Sequence, residues 1–174
     1  MKKLFATIVF ALACTCVNAQ NQTMELSFNE DGCFSTVISV NATAQQIYTH
    51  AQSYCLNKAR TSDKPIANKV PETYTIRYTD FWTHGVYANV VGQNKDVAEK
   101  CNITISAQDG KMYIHIETPN IVYPRVNEQT QYKVFMAMLK EDGKAKFLET
   151  RKGYYSEFLS PIKDFIEKRV NFEK

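Results

Sequence analysis

The residues in this sequence that could support chemistry are three histidines and five cysteines, and they are widely dispersed. His50 and Cys55 lie five positions apart, so on a helix their side chains would point about 140° away from each other. A Cys-His hydrolase would need a dyad assembled through space, for example Cys101 with His84 or His115. Dispersed histidines and cysteines are more often structural or solvated, so the sequence favours a protein without such a dyad.

No motif of a known catalytic or metal site accompanies these residues. The chain contains no His-Glu-x-x-His, no Gly-x-Ser-x-Gly elbow and no phosphate-binding loop. Its six glycines are not grouped to hold a phosphate. The sequence therefore predicts a non-enzymatic protein with no cofactor, no metal and no catalytic residue.

The first nineteen residues have the pattern of a secretory signal peptide. A positive start, "MKK", precedes the apolar run "LFATIVFALAC" and the short side chains of "VNA" before Gln20. We expect cleavage after Ala19 and export to the periplasm or the extracellular space. Lipidation at Cys14, which follows "ALA", is the alternative. No later stretch has the roughly eighteen apolar residues that a transmembrane segment requires.

Removal of this signal peptide changes the cysteine count and the charge. Cys33, Cys55 and Cys101 remain, an odd number that allows at most one internal disulfide. The favoured interpretation is three buried structural cysteines. Loss of Lys2 and Lys3 leaves 19 basic residues (21 minus 2) against 18 acidic ones, a net charge of about +1. This balance gives no electrostatic reason to expect nucleic acid or an anionic membrane as partner.

The domain is predicted to begin with a strand at residues 33–40, followed by an amphipathic helix. Asn41 or Thr43 is expected to cap that helix. Its apolar stripe recurs at helical spacing over Ala44, Ile47, Tyr48, Ala51, Cys55 and Ala59. Such a stripe needs a surface to cover, and the strands that follow provide one.

The clearest local signal is Asp109–Gly110, which separates "CNITISAQ" from "KMYIHIET". A two-residue loop of this type closes a β-hairpin. Counting outward gives apolar pairs on one face: Ala107 with Met112, Ile105 with Ile114, and Ile103 with Ile116. The other face has polar pairs: Ser106 with Tyr113, Thr104 with His115, and Asn102 with Glu117. We therefore predict a sheet with one face under helices and one face open to water or to a partner.

Four residues are candidate contacts for a ligand or partner. Tyr113, His115 and Glu117 are expected on the polar face of the hairpin. Trp82, the only tryptophan, falls in a turn predicted over "DFWTHG", where an aromatic side chain could serve as a contact.

The rest of the chain completes the predicted order of elements. Strands are indicated between Pro65 and Pro71, in "TYTIRYT" and in "VYANVV". Residues 131–140 have helical spacing, and a strand leading into a turn at Asp142–Gly143 is the alternative. The order β-α-β(4-5)-α indicates an α+β fold, a curved antiparallel sheet with helices packed on one face.

The C-terminal segment keeps a helical period from Tyr155 to Val170, and Pro161 interrupts it. The helix is expected either to kink there or to restart with Ser160 as its cap.

Two of these stretches, "VISVNATAQQIYTHAQSYC" and "CNITISAQDGKMYIHIET", resemble a family of secreted bacterial domains of unknown function. That family has a fold like that of the TATA-box-binding protein (TBP-like), and the resemblance covers roughly residues 33–120. Tyr54–Cys55 departs from the tryptophan expected in the first helix. The resemblance implies a TBP-like fold, a signal peptide and a location in the cell envelope. It implies no catalytic or binding residues, because fold does not determine function.

The predicted organisation is a signal peptide (1–19), a leader (20–32), a TBP-like α+β domain (33–124) and C-terminal helices packed on that domain (125–174). The favoured function is a non-catalytic binding module, secreted or in the cell envelope, for an unknown protein, glycan or small-molecule ligand. One alternative is a small-molecule or lipid carrier with a pocket between the sheet and the C-terminal helix. The other is the Cys-His hydrolase.

Overall fold

The computed structural model describes residues 26–58, 66–90, 93–123 and 128–173, with only the backbone considered at 66–68, 84–90 and 93–96. Cys14, Cys16 and the predicted signal peptide lie outside the described residues. The elements are β1 (Phe34–Ser39), α1 (Ala44–Lys58), β2 (Ile66–Val70), β3 (Thr75–Val90), β4 (Gln93–Gln108), β5 (Lys111–Ile116), β6 (Asn120–Tyr123), β7 (Glu128–Gln131), α2 (Tyr132–Met138), α3 (Glu141–Leu159) and α4 (Ile162–Phe172). A short 3-10 helix, Pro71–Thr73, links β2 to β3.

The strands form a curved, unclosed antiparallel sheet, which confirms the predicted α+β fold class. Its main order is β1-β5-β4-β3-β2. The long strand β4 pairs with β5 over one part of its length and with β6 over another, and β7 pairs with β6. Six strands follow α1 in the described residues, where the sequence indicated four to five, because β6 and β7 are only four residues each.

Thr43 caps the first helix. Its Oγ1 accepts from the Gln46 backbone N–H at 3.3 Å, and Gln46 Oε1 accepts from the Thr43 N–H at 3.1 Å. This reciprocal capping box satisfies two donors at the helix start. The Ala44 N–H donates to Asp109 Oδ1 at 2.7 Å, so the hairpin loop also helps to fix α1. Of the two predicted caps, the structure selects Thr43 and not Asn41.

The hairpin register predicted from Asp109–Gly110 is confirmed. Gly110 has a φ of +77°, which the turn requires. The β4–β5 pairs include Ile105 with Ile114, Thr104 with His115 and Ser106 with Tyr113. The same register places the apolar members under the helices.

The turn predicted over Asp80–Gly85 is wrong, because these residues lie inside β3. Ile76, Tyr78, Asp80 and Trp82 alternate inward, and all four are buried. The acidic side chain of Asp80 interrupts the apolar pattern, which is why the sequence there resembled a turn. A register shift between Thr83 and Tyr87 lets the strand continue past Gly85.

The C-terminal half contains three helices. The predicted helix within 131–140 is confirmed as α2, and Asp142–Gly143 lies in the first turn of α3, so the alternative strand is wrong. The helical segment is divided in two: α3 ends at Leu159 and a separate helix, α4, begins at Ile162. The N-cap of α4 is Pro161, with no side-chain cap hydrogen bond, so the predicted Ser160 cap is also wrong.

The core lies between the sheet and helices α1, α3 and α4. A second cluster beneath α2 and α3 joins the same face of the sheet through Val97 and Ile121. Leu26 is buried in the main core and Phe28 packs against it. These two residues belong to the segment predicted to be a polar leader, so at least part of that segment packs with the domain.

Candidate binding surface on the open face of the sheet

Strands β1 and β3 to β5 present two different faces. Inward residues such as Ile103, Ile105 and Ile114 are fully buried beneath the helices. The alternate residues are exposed or half-buried, and we call this set the open face: Ser35, Val37, Ser39, Thr75, Arg77, Thr79, Phe81, Thr83, Lys100, Asn102, Thr104, Ser106, Gln108, Lys111, Tyr113 and His115. No described helix packs on it.

Polar side chains of the open face bond to one another across the strands. The bonds are Ser35 Oγ with His115 Nδ1 (2.8 Å), Thr75 Oγ1 with Ser106 Oγ (3.1 Å), Thr79 Oγ1 to Asn102 Oδ1 (2.8 Å) and Tyr113 Oη to Gln108 Oε1 (3.0 Å). Such cross-strand pairs hold side-chain rotamers in place. The surface is therefore largely organised before any partner arrives.

Charge on the open face has one sign. Arg77, Lys100 and Lys111 are exposed there, and none of the sixteen open-face residues is acidic. Glu117, which follows β5, lies at the rim, where its N–H donates to Asn102 O at 3.0 Å. The near-neutral charge of the whole chain thus conceals a basic surface, because net charge says nothing about distribution.

The structure brings three of the four candidate contacts to one side of the sheet. Tyr113 and His115 lie on the open face and Glu117 at its rim. Sequence reasoning missed Phe81, which is 40% exposed, and Arg77. The alternation of "TYTIRYT" already placed Arg77 on the face opposite Tyr74, Ile76 and Tyr78, so a signal for it existed.

Trp82 lies on the helix-facing side and is only 1% exposed. Its ring centroid is 4.6 Å from that of Tyr155, and its Nε1 donates to Asp80 Oδ2 at 3.1 Å. The indole is part of the core, so it does not offer the surface contact that a turn would have given it.

A buried polar cluster lies beneath the same strands. Arg151 Nε donates to both Glu99 oxygens, at 3.1 and 3.0 Å, and Tyr155 Oη donates to Glu99 Oε1 at 2.6 Å. Burial, with the Glu99 charge added, raises the pKa of Tyr155 well above its ordinary value. Burial alone would lower the pKa of Arg151, but Glu99, Tyr155 and Tyr132 together outweigh it and leave that pKa raised. Arg151 and Glu99 have no exposed surface, so the cluster serves the fold.

The three cysteines in the described part of the chain, Cys33, Cys55 and Cys101, are free thiols. Burial raises the pKa of Cys55 to about 12 and that of Cys101 well above its ordinary value, which keeps both protonated at neutral pH. Cys33 is half-buried, with its Sγ 3.1 Å from Thr118 Oγ1. The sequence favoured three buried structural cysteines; Cys55 and Cys101 are buried, whereas Cys33 is less buried than expected.

A Cys-His dyad does not form from the described side chains. His115 is on the open face, while Cys101 is buried on the opposite face. His50 faces Glu173, with its Nε2 3.1 Å from Oε1. The side chain of His84 lies outside the described residues. The described part of the chain also holds no group of three or more metal-binding side chains.

The space predicted to form a carrier pocket is filled by aromatic rings. The Phe158 ring stacks on Tyr78 with centroids 5.0 Å apart, and Tyr54 contacts both Phe158 and Phe165. A groove of about 460 Å³ lies elsewhere, between α1 and α4 near His50 and Phe172. Among the described helices, none is long and apolar enough to cross a bilayer.

Comparison with known proteins identifies solved structures with a similar fold. No family model and no curated protein matches the chain. A DUF4468 family protein from Bacteroides ovatus ATCC 8483 superimposes with a TM-score of 0.60 at 14% identity, covering 80% of this chain and 88% of that one. A TBP-like protein from Parabacteroides distasonis ATCC 8503 gives 0.58 at 12% identity, covering 84% and 98%. The chain has a TBP-like fold. The resemblance drawn from the sequence is therefore confirmed for the fold, and identities this low carry no function across.

Proposed function

We propose that this protein is a non-catalytic binding module that docks an acidic, extended polypeptide segment on its open face. The observation that carries the proposal is that Lys100, Arg77 and Lys111 are exposed on the open face, whose sixteen described residues include no acidic one. The signal-peptide pattern supports a location in the cell envelope or outside the cell.

The three cations are spread along the sheet. Lys100 and Lys111 lie on neighbouring strands, and Lys111 pairs with Gln108, eight residues from Lys100. At about 3.4 Å per residue this separates them by roughly 27 Å along the strands. Arg77 is opposite Thr104, midway between the two lysines along the strand direction, but on β3, which flanks β4 on the side away from β5. A line of this length matches an extended segment of about eight residues better than a compact ligand.

The polar and aromatic side chains between the cations suit the same partner. Tyr113 and Phe81 offer exposed or half-exposed rings, and an arginine such as Arg77 can bind a carboxylate through two parallel hydrogen bonds. Aromatic residues and arginine are enriched at protein interfaces. The open face therefore combines charge for orientation with apolar area for affinity.

Other anionic partners fit less well. Proteins that grip duplex DNA commonly neutralise about six to ten phosphates, and membrane-binding patches gather about four to eight basic residues. Three separated cations with Glu117 at the rim fall short of both. An acidic polypeptide needs fewer charge contacts, so it is the favoured class.

The closest approach to a catalytic pair on the open face is Ser35 with His115, at 2.8 Å. A serine nucleophile also requires donors aimed at the developing oxyanion. His115 lies within β5, whose backbone donors belong to the ladders with β1 and β4. We interpret the pair as a cross-strand hydrogen bond rather than as a dyad.

The test uses a fluorescein-labelled dodecapeptide of alternating glutamate and threonine, with a lysine–threonine peptide as the charge control. Fluorescence anisotropy at low salt should show binding of the acidic peptide only. Replacing Arg77 and Lys111 together by glutamate should weaken it at least tenfold. The matched control replaces Lys152 and Lys168, which are exposed on α3 and α4, by glutamate and should bind like the wild type. Equal losses in both variants, or tighter binding of single-stranded DNA, would contradict the proposal.

A further inference from the structure

Strand β1 forms an edge of the sheet with outward-facing backbone groups. The Val40 N–H donates to Gly110 O on the β5 side, at 3.0 Å. In an antiparallel pair, alternate residues direct both backbone groups to the same side. Ser35, Val37 and Ser39 therefore direct their backbone N–H and C=O groups away from β5. Within the described residues, these N–H and C=O groups have no backbone partner.

The edges of this sheet differ in how they are protected. Strand β2 carries a register shift between Ile66 and Asn68, an exposed Lys69, and Pro71 directly after it. Strand β7 is four residues long and begins with Glu128. Bulges, charges, prolines and short length are the usual devices that prevent an edge from pairing with another chain. β1 has none of them: its six residues, "FSTVIS", pair with β5 without interruption.

The core is also incomplete at this edge. Phe34, Thr36 and Ile38 point to the helix side of β1 and are only half-buried. Their neighbours on β5, Met112, Ile114 and Ile116, are fully buried. An additional strand beside β1 would cover these side chains, as β1 itself covers those of β5.

We propose that two copies of the chain pair antiparallel through β1, about a twofold axis at Val37. This register places Val37 opposite Val37 of the second copy and Ser35 opposite Ser39, so outward backbone groups meet outward backbone groups. The three outward residues of each copy then form about six inter-chain hydrogen bonds. A twofold contact uses the same surface on both copies. In this register no charged side chain of β1 faces another one across the contact.

The second copy is favoured as the occupant because the strand is complementary to itself. Val37 is apolar and 38% exposed, and it would be covered by its own symmetry mate. Ser35 and Ser39 are small and uncharged, so they tolerate close approach across the new ladder. Pairing would join the two open faces into one continuous surface, yet it does not depend on the function proposed for that face.

The experiment is sedimentation velocity on the exported, purified protein from micromolar to near-millimolar concentration. The wild type should shift from monomer to dimer with increasing concentration. Val37→Lys, which opposes two cations at the axis, should remain monomeric. The control Val134→Lys, on α2 at a position 44% exposed, should dimerise like the wild type. Both positions are exposed, and circular dichroism checks that both variants fold.

Hydrogen exchange supplies an independent readout. The amides of Ser35, Val37 and Ser39 should gain protection as the wild type dimerises and lose it in Val37→Lys. A wild type that stays monomeric, a dimer that Val37→Lys leaves intact, or equal effects at positions 37 and 134 would overturn the proposal.

Discussion

Arg151 and Glu99 form an ion pair in which neither side chain has any exposed surface. The guanidinium also donates to Gly32 O at 2.8 Å and lies 3.9 Å from the centroid of the Phe28 ring. One pair of residues thus joins α3, β4 and the segment that precedes β1. A buried charge that loses its partner is costly, so the fold should be sensitive to loss of either member of this pair.

Arg151→Met should lower the free energy of unfolding by about 3–5 kcal/mol, because it leaves the Glu99 carboxylate buried without its counter-ion. The double variant Arg151→Met/Glu99→Gln should be more stable than Arg151→Met alone, since the remaining amide is neutral. Urea unfolding followed by circular dichroism measures both. A double variant less stable than the single one would contradict this view of the cluster.

Gly32 and Gly110 provide a matched pair for backbone strain. Both have positive φ, +75° and +77°. A Cβ at Gly32 would lie 3.0 Å from Pro119 Cδ and 3.0 Å from the Tyr132 ring, whereas a Cβ at Gly110 meets nothing within 4 Å. Gly110→Ala should lower the free energy of unfolding by about 1 kcal/mol, because alanine is disfavoured in the left-handed backbone conformation. Gly32→Ala should lower it clearly more, because its Cβ also meets close neighbours. Thermal melting compares the two; equal losses would show that the close approach at Gly32 is relieved by a shift of its neighbours.

Stability should fall at alkaline pH partly through Cys55. Burial raises its pKa from 9.0 to about 12, so in this range the unfolded chain loses the thiol proton while the folded chain keeps it. This stability is fully present below pH 9 and is lost as the pH rises towards 12. The loss approaches about 1.4 kcal/mol per pH unit for one such group. Cys55→Ala should flatten the pH dependence of the free energy of unfolding between pH 9 and 12, and a slope equal to that of the wild type would contradict the assignment.

Local chemistry explains what could be predicted from the sequence. Asp109–Gly110 sets the hairpin register through a turn that few other residue pairs adopt, and the register then assigns the side chains of Ile103–Gln108 and Lys111–Ile116 to their faces. The apolar stripe of α1 could also be predicted, because its residues recur at helical spacing. Tyr113 and His115 could be placed on the open face for this reason.

Long-range partners explain what could not be predicted. Asp80 is buried because Tyr78 Oη and Trp82 Nε1 both donate to it, a compensation that a pattern of apolar residues does not reveal. Arg151 and Glu99 are 52 positions apart in the sequence. The basic character of the open face arises in the same way, since Arg77, Lys100 and Lys111 belong to three different strands.

Whether the open face is the binding surface can be decided by an NMR titration of the ¹⁵N-labelled protein with the glutamate–threonine peptide. Shift changes should be concentrated at Arg77, Lys100, Lys111 and Tyr113, and Tyr113→Ala should weaken the binding and leave the fold intact. Changes concentrated instead around Thr49, His50 and Phe172, in the groove between α1 and α4, would contradict it.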